Sequence, residues 1–125
     1  MGRRISKSDA EIVFQIHADY VCRRFGFDDE WEPSVRVESM RDCEGSHEMT
    51  KSGHSIIRII PSCRFDNEVL IHELAHYVQK RIEGRSCCWD MKRSSDRLDQ
   101  KYDDEICDRH SAYMKQIRDM IDRKA

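Results

Sequence analysis

The chain has 125 residues, 38 % of them apolar and 37 % charged, and its 22 basic and 24 acidic side chains leave a net charge of -2 with histidine neutral. That length supports one domain with one modest core, and the balance of charge excludes a global field that would gather nucleic acid or an anionic membrane. No apolar run approaches a membrane span, and Arg3 and Arg4 are not followed by the apolar stretch of a secretion signal, so a cytoplasmic protein is expected.

In chain order, Ser8 to about Phe25 reads as a helix. Ser8 and Glu11 have capping-box spacing, Ile12, Val13, Ile16, Tyr20 and Val21 recur at helical intervals and are expected to face the core, and Gly26 ends the run. His17 falls among these positions as a core or boundary residue. The acidic link Asp28-Asp29-Glu30 leads to a short strand, Val35 to Met40, whose apolar and charged residues alternate. Arg41 to Gly53 is polar and reads as a loop or hairpin arm. Ser55 to Ile60 is a β-branched run closed by Pro61, hence a strand. Asp66 or Asn67 caps the next helix, which should stop at Gly84; Arg85 to Ser95, containing Cys87, Cys88 and Trp89, is a loop. A final long helix from Asp96 carries Leu98, Tyr102, Ile106, Tyr113, Ile117 and Met120 as one stripe. The expected class is α+β, a small sheet packed with helices.

The chemistry is concentrated in Val69-Leu70-Ile71-His72-Glu73-Leu74-Ala75-His76-Tyr77-Val78. Side chains four apart share a helix face, so His72 and His76 can offer imidazole nitrogens to one zinc ion. Glu73, one step round, stays off the metal but within reach of a water beside it, as a general base must.

The segment Glu68 to Tyr77 resembles the active-site helix of the zincin metallopeptidases, and in particular small bacterial and phage members of gluzincin-like or SprT-like type. The resemblance implies a minimal zincin-like fold, one catalytic Zn2+ and hydrolysis of peptide bonds in a protein or peptide substrate. It also implies that the strand before the active-site helix, His54 to Ile60, pairs with extended substrate; the competing expectation is a strand simply buried in the sheet.

A catalytic zinc needs a third protein ligand. By the gluzincin pattern, aligning Cys107-Asp108 with the usual Ala-Asp puts Asp104 at that position. Helical geometry instead places Glu105 on the border of the apolar stripe and Asp104 well away from it. His110 is a third candidate. Asp108 would then accept the second ring N–H of His72 or His76, and Tyr102, His110 or Tyr113 could stabilise the developing oxyanion.

The six cysteines are expected as reduced thiols in the absence of a secretion signal. Cys43, His47, His54 and Cys63 could in principle hold a second, structural zinc, though without the close Cys pairs of zinc ribbons. Two rival readings stand beside the peptidase. One is a non-catalytic, zinc-stabilised binding module; the other draws on the local basic clusters Arg3-Arg4 and Lys92-Arg93 to suggest contact with nucleic acid.

Overall fold

The computed structural model describes residues 5–27, 32–41, 43–49, 54–84 and 100–124, the side chains of 100–104 excepted. Within these the order is helix α1 (Lys7–Arg24), strands β1 (Ser34–Val37), β2 (Gly45–Met49) and β3 (Ser55–Ile59), a 3-10 turn at Pro61–Cys63, helix α2 (Glu68–Glu83) and helix α3 (Gln100–Lys124). The class is α+β, as expected. The expected acidic link at 28–30, the loop with Trp89 and the start of the last helix at Asp96 lie outside the described residues.

The sheet has the order β1-β3-β2, with β1 parallel and β2 antiparallel to β3. Register puts Val35 and Val37 beside Ile57 and Ile59, and His47 and Gly45 beside the same two isoleucines from the other side. Alternation then turns these residues to one face, where they meet Leu70, Leu74, Val78, Phe14, Val21 and Ile117 in a single buried cluster. The opposite face is polar: Arg58 on the central strand forms ion pairs with Glu38 and Glu48.

α1 departs from the expected pattern at both its start and its face. Ser6, not Ser8, is the N-cap, accepting from the Asp9 backbone N–H at 3.1 Å, and Glu11 accepts from the Val37 N–H at 2.9 Å, which ties α1 to β1. The buried side of α1 is Ala10, Phe14, Ala18, Val21 and Cys22, so Ile12, Val13 and Ile16 are left outside. The small residues win because two alanines let the helix lie close against β1 while Phe14 fills the depth between them.

α2 follows expectation closely. Asp66 accepts from the Glu68 N–H at 3.0 Å at its entry, and Gly84, at φ 82°, ends it in the left-handed conformation that costs glycine nothing. Its middle, from Leu74 to Gln79, is buried without interruption. Among the described residues no helix is long and apolar enough to cross a membrane.

Candidate metal centre

α2 packs along α3 and against β2 and β3, and the site forms where these elements meet. His72 and His76, one helical turn apart, approach through their Nε2 atoms at 3.1 Å. Two nitrogens bound to one tetrahedral zinc at about 2.0–2.1 Å lie roughly 3.3 Å apart, so the pair already has nearly the spacing of two ligands. His110 on α3 completes the group: one donor atom from each of His72, His76 and His110 lies within 4.8 Å of the others. The His110 ring stacks on His76 with centroids 4.0 Å apart, and its Nε2 sits 3.2 Å from the His72 carbonyl oxygen.

His110 reaches the group because it belongs to the buried stripe of α3. It follows Ile106 by one turn and precedes Ile117 by two, and all three are buried. Glu105, five residues before it, is turned about 140° round the helix and is exposed. The helical reading that favoured Glu105 as third ligand is therefore corrected: its carboxylate is not in the group of possible ligands, and the imidazole is. The side chains of Asp104 and Tyr102 lie outside the described residues. Asp108, expected to orient a motif histidine, is exposed.

Burial lowers the pKa of all three imidazoles. For His76 it falls to about 3, from burial first and then from the neighbouring His110, His72 and His47; His72 and His110 shift in the same direction, chiefly through burial. Neutral imidazole is the form that donates a lone pair to a metal, so the donors are ready at neutral pH. Among the described residues the group is three imidazoles without a carboxylate or thiolate, a set that suits zinc, and His72, being exposed, leaves the group open to solvent.

Glu73 is 6 % exposed, and burial pushes its carboxyl up to about 7. Much of its cover is the backbone of β2: a Cβ placed on Gly45 would come within 3.1 Å of Glu73 Cγ and 3.2 Å of its Oε2, and within 2.5 Å of Val69 Cγ1. Gly45 escaped the sequence reading because it looked like loop punctuation; a lone glycine beginning a strand is the signal for such a close approach.

Tyr113, expected as an oxyanion donor, is engaged elsewhere. Its hydroxyl donates to Glu83 at 2.9 Å, two turns along α2 from His76, and burial with the Glu83 carboxylate pushes it up to about 12. Arg109 joins the same carboxylate at 2.9 Å. Fully buried Gln79 donates to the Ile106 carbonyl at 2.9 Å. These bonds clamp α2 to α3 just beyond the contact that brings His110 to His76, and Gln79 was another residue the sequence reading missed.

The second zinc set does not assemble. His54 bonds Ser34 Oγ at 2.8 Å, His47 lies edge-on to Tyr77 with centroids 5.7 Å apart, and Cys63 donates to Glu44 at 3.0 Å. Nor are all the thiols reduced: Cys22, Cys43 and Cys63 are free, but Cys107 is disulfide-bonded.

No protein-family model, curated protein or solved structure matches the chain.

Proposed function

We propose that the chain is a zinc-dependent metallopeptidase, with His72, His76 and His110 as ligands and Glu73 as general base. The observation that carries the reading is the arrival of a third imidazole, from a different helix, at the open side of a His-Glu-x-x-His pair whose glutamate is buried and poised near neutrality. Among the described residues the group has three donors, the number that leaves a catalytic zinc a coordination position for water. Zinc held there would act as a Lewis acid, making water a nucleophile near neutral pH and polarising the carbonyl it attacks.

The chain's own residues would do the rest. Glu73 takes the proton of the attacking water and returns it to the leaving amine, and a carboxyl near pH 7 is matched to both transfers. The cover from Gly45 keeps that carboxyl dry, which is what raises its basicity. Substrate binding falls to β2 rather than to the strand before α2. β3 is bonded on both sides, whereas β2 is an edge among the described strands and begins beside Glu73, so an extended peptide added to it would run past the base.

The same proposal makes the substrate a protein or peptide and the compartment cytoplasmic; the free thiols Cys22, Cys43 and Cys63 accord with that compartment, while the Cys107 disulfide is the exception to it. The test is turnover of an unfolded protein substrate by the zinc-loaded chain and by Glu73→Gln. The variant should keep its zinc and lose hydrolysis by at least about a hundredfold. Equal turnover in the two would refute the mechanism.

A further inference from the structure

Among the described cysteines, Cys22, Cys43 and Cys63 are free, whereas Cys107 on α3 is disulfide-bonded. The sequence has six cysteines, so the partner of Cys107 is one of the adjacent pair Cys87 and Cys88, which lie outside the described residues. Small secreted domains that depend on disulfides pair their cysteines throughout. One disulfide in a chain that keeps free thiols accords instead with the transient, redox-sensing disulfides of reducing compartments.

What the bond joins follows from the order of the elements. α2, with His72 and His76, ends at Glu83, just before the cysteine pair, and α3 carries Cys107 three residues before His110. The cross-link therefore spans about 20 residues of chain and ties the end of the helix with two imidazoles to the helix with the third. Next to Cys107, the Ile106 carbonyl accepts from Gln79 at 2.9 Å, and one turn further on His110 stacks on His76 with centroids 4.0 Å apart. Cys107 is half-buried and stands outside the buried core cluster, so breaking the bond does not require opening the core.

We propose that this disulfide is a redox control on the metal centre: oxidised, it holds His110 in position for zinc, and reduced, it leaves the site with weaker metal affinity. The inference rests on the three-histidine reading of the site. A cross-link acts on the states in which the two helices have parted, by removing most of the arrangements open to them. In those states His110 is away from His72 and His76, so cutting the bond raises the share of chains that do not hold zinc and lowers the apparent affinity in proportion. The bonds from Gln79 to Ile106 and from Glu83 to Tyr113 and Arg109 survive the cut, so affinity falls without vanishing. The chemistry is thiol–disulfide exchange with a dithiol. A thiolate of the reductant attacks one sulfur of the bond, and its second thiol then resolves the mixed disulfide. Two electrons and two protons pass to the chain, leaving Cys107 and its partner as thiols and the reductant as a disulfide. A small-molecule disulfide runs the exchange backwards.

The test compares the full chain oxidised with glutathione disulfide and reduced with dithiothreitol, each reagent being removed by gel filtration under nitrogen. Trypsin cuts after Arg85, Lys92, Lys101 and Arg109, so the oxidised digest should contain a cross-linked species joining 86–92 to 102–109 that reduction splits. Competition with a chromophoric chelator should show zinc affinity about tenfold lower in the reduced chain, by the scale of groups that orient metal ligands, and restored on reoxidation. Cys107→Ser should match the reduced chain under both conditions, and Cys63→Ser should keep the wild-type difference. Absence of the cross-linked species would overturn the proposal, and so would equal zinc affinity in the oxidised and reduced chains. If that equal affinity is lost in His110→Ala, the metal centre stands and its redox control alone fails; if the oxidised chain takes up no zinc, both fail.

Discussion

Gly45 and Glu73 share one volume: the space that any side chain at 45 would fill is held by the Glu73 carboxyl and by Val69. The edge strand thus acts as a lid on the base. Backbone cover without a competing side chain explains how a carboxylate beside a solvent-open histidine stays buried.

Gly45→Ala should therefore act on the base before it acts on the fold. The added methyl must displace Val69 and Glu73, an overpacking cost of about 1–3 kcal/mol, and should cut turnover by more than tenfold while zinc stays bound. Thermal melting, zinc content and turnover of the same preparation check this. A variant that melts lower but turns over at the wild-type rate would separate Gly45 from the chemistry.

Two buried groups should give the metal-free protein opposite slopes with pH. Burial raises Glu73 from 4.5 to about 7, so the fold binds a proton that the unfolded chain releases; that contribution is full below about 4.5 and is lost as pH rises through about 7. Burial, with Lys80 nearby, lowers His47 from 6.5 to about 4; its contribution is full above 6.5 and is lost as pH falls through about 4. At about 1.4 kcal/mol per pKa unit, each amounts to something on the order of 3 kcal/mol. Urea unfolding of the metal-free protein across pH 4–8 should show Glu73→Gln flattening the alkaline decline and His47→Phe flattening part of the acid one. His72, His76 and His110, shifted in the same direction as His47, should retain the remainder. Unchanged slopes would mean that neither group is dry in the folded chain.

Gln79→Leu should loosen the contact between α2 and α3. It removes a fully buried donor to the Ile106 carbonyl, at a cost of about 1–2 kcal/mol. Because Ile106 stands one turn before His110, zinc affinity should fall about tenfold with it, by the scale of groups that orient metal ligands. Competition with a chromophoric chelator measures the second effect. Undiminished affinity would show that His110 is placed without this clamp.

How far these features were legible follows from the kind of signal each residue gives. β1, β3 and the ends of α2 were readable because β-branched residues, Pro61 and Gly84 act locally, whereas β2 lies in the polar stretch read as a loop or hairpin arm, since Gly45–Met49 has no β-branched residue. His72, Glu73 and His76 were readable because their relation is fixed within one helix. The face of α1 was misjudged because the large Ile12 and Ile16 outweigh Ala10 and Ala18 in any hydrophobic count, while close packing against β1 rewards the small residues. The third imidazole was ranked low for a different reason. An acidic residue was sought on the border of the α3 stripe, when His110 lay on the stripe itself, in step with Ile106 and Ile117. Gly45 and Gln79 depend on which elements meet in space, and a single chain read in order does not carry that information.

The central claim is that three histidines from two helices hold one metal ion. Elemental analysis of zinc in the wild-type chain beside His76→Ala, His110→Ala and Glu105→Ala tests it most directly. One zinc per chain is expected in the wild type and in Glu105→Ala, with zinc lost from both histidine variants while their helix content remains. A wild-type chain that cannot be loaded with zinc, or a His110→Ala variant that holds it as firmly as the wild type, would contradict the account.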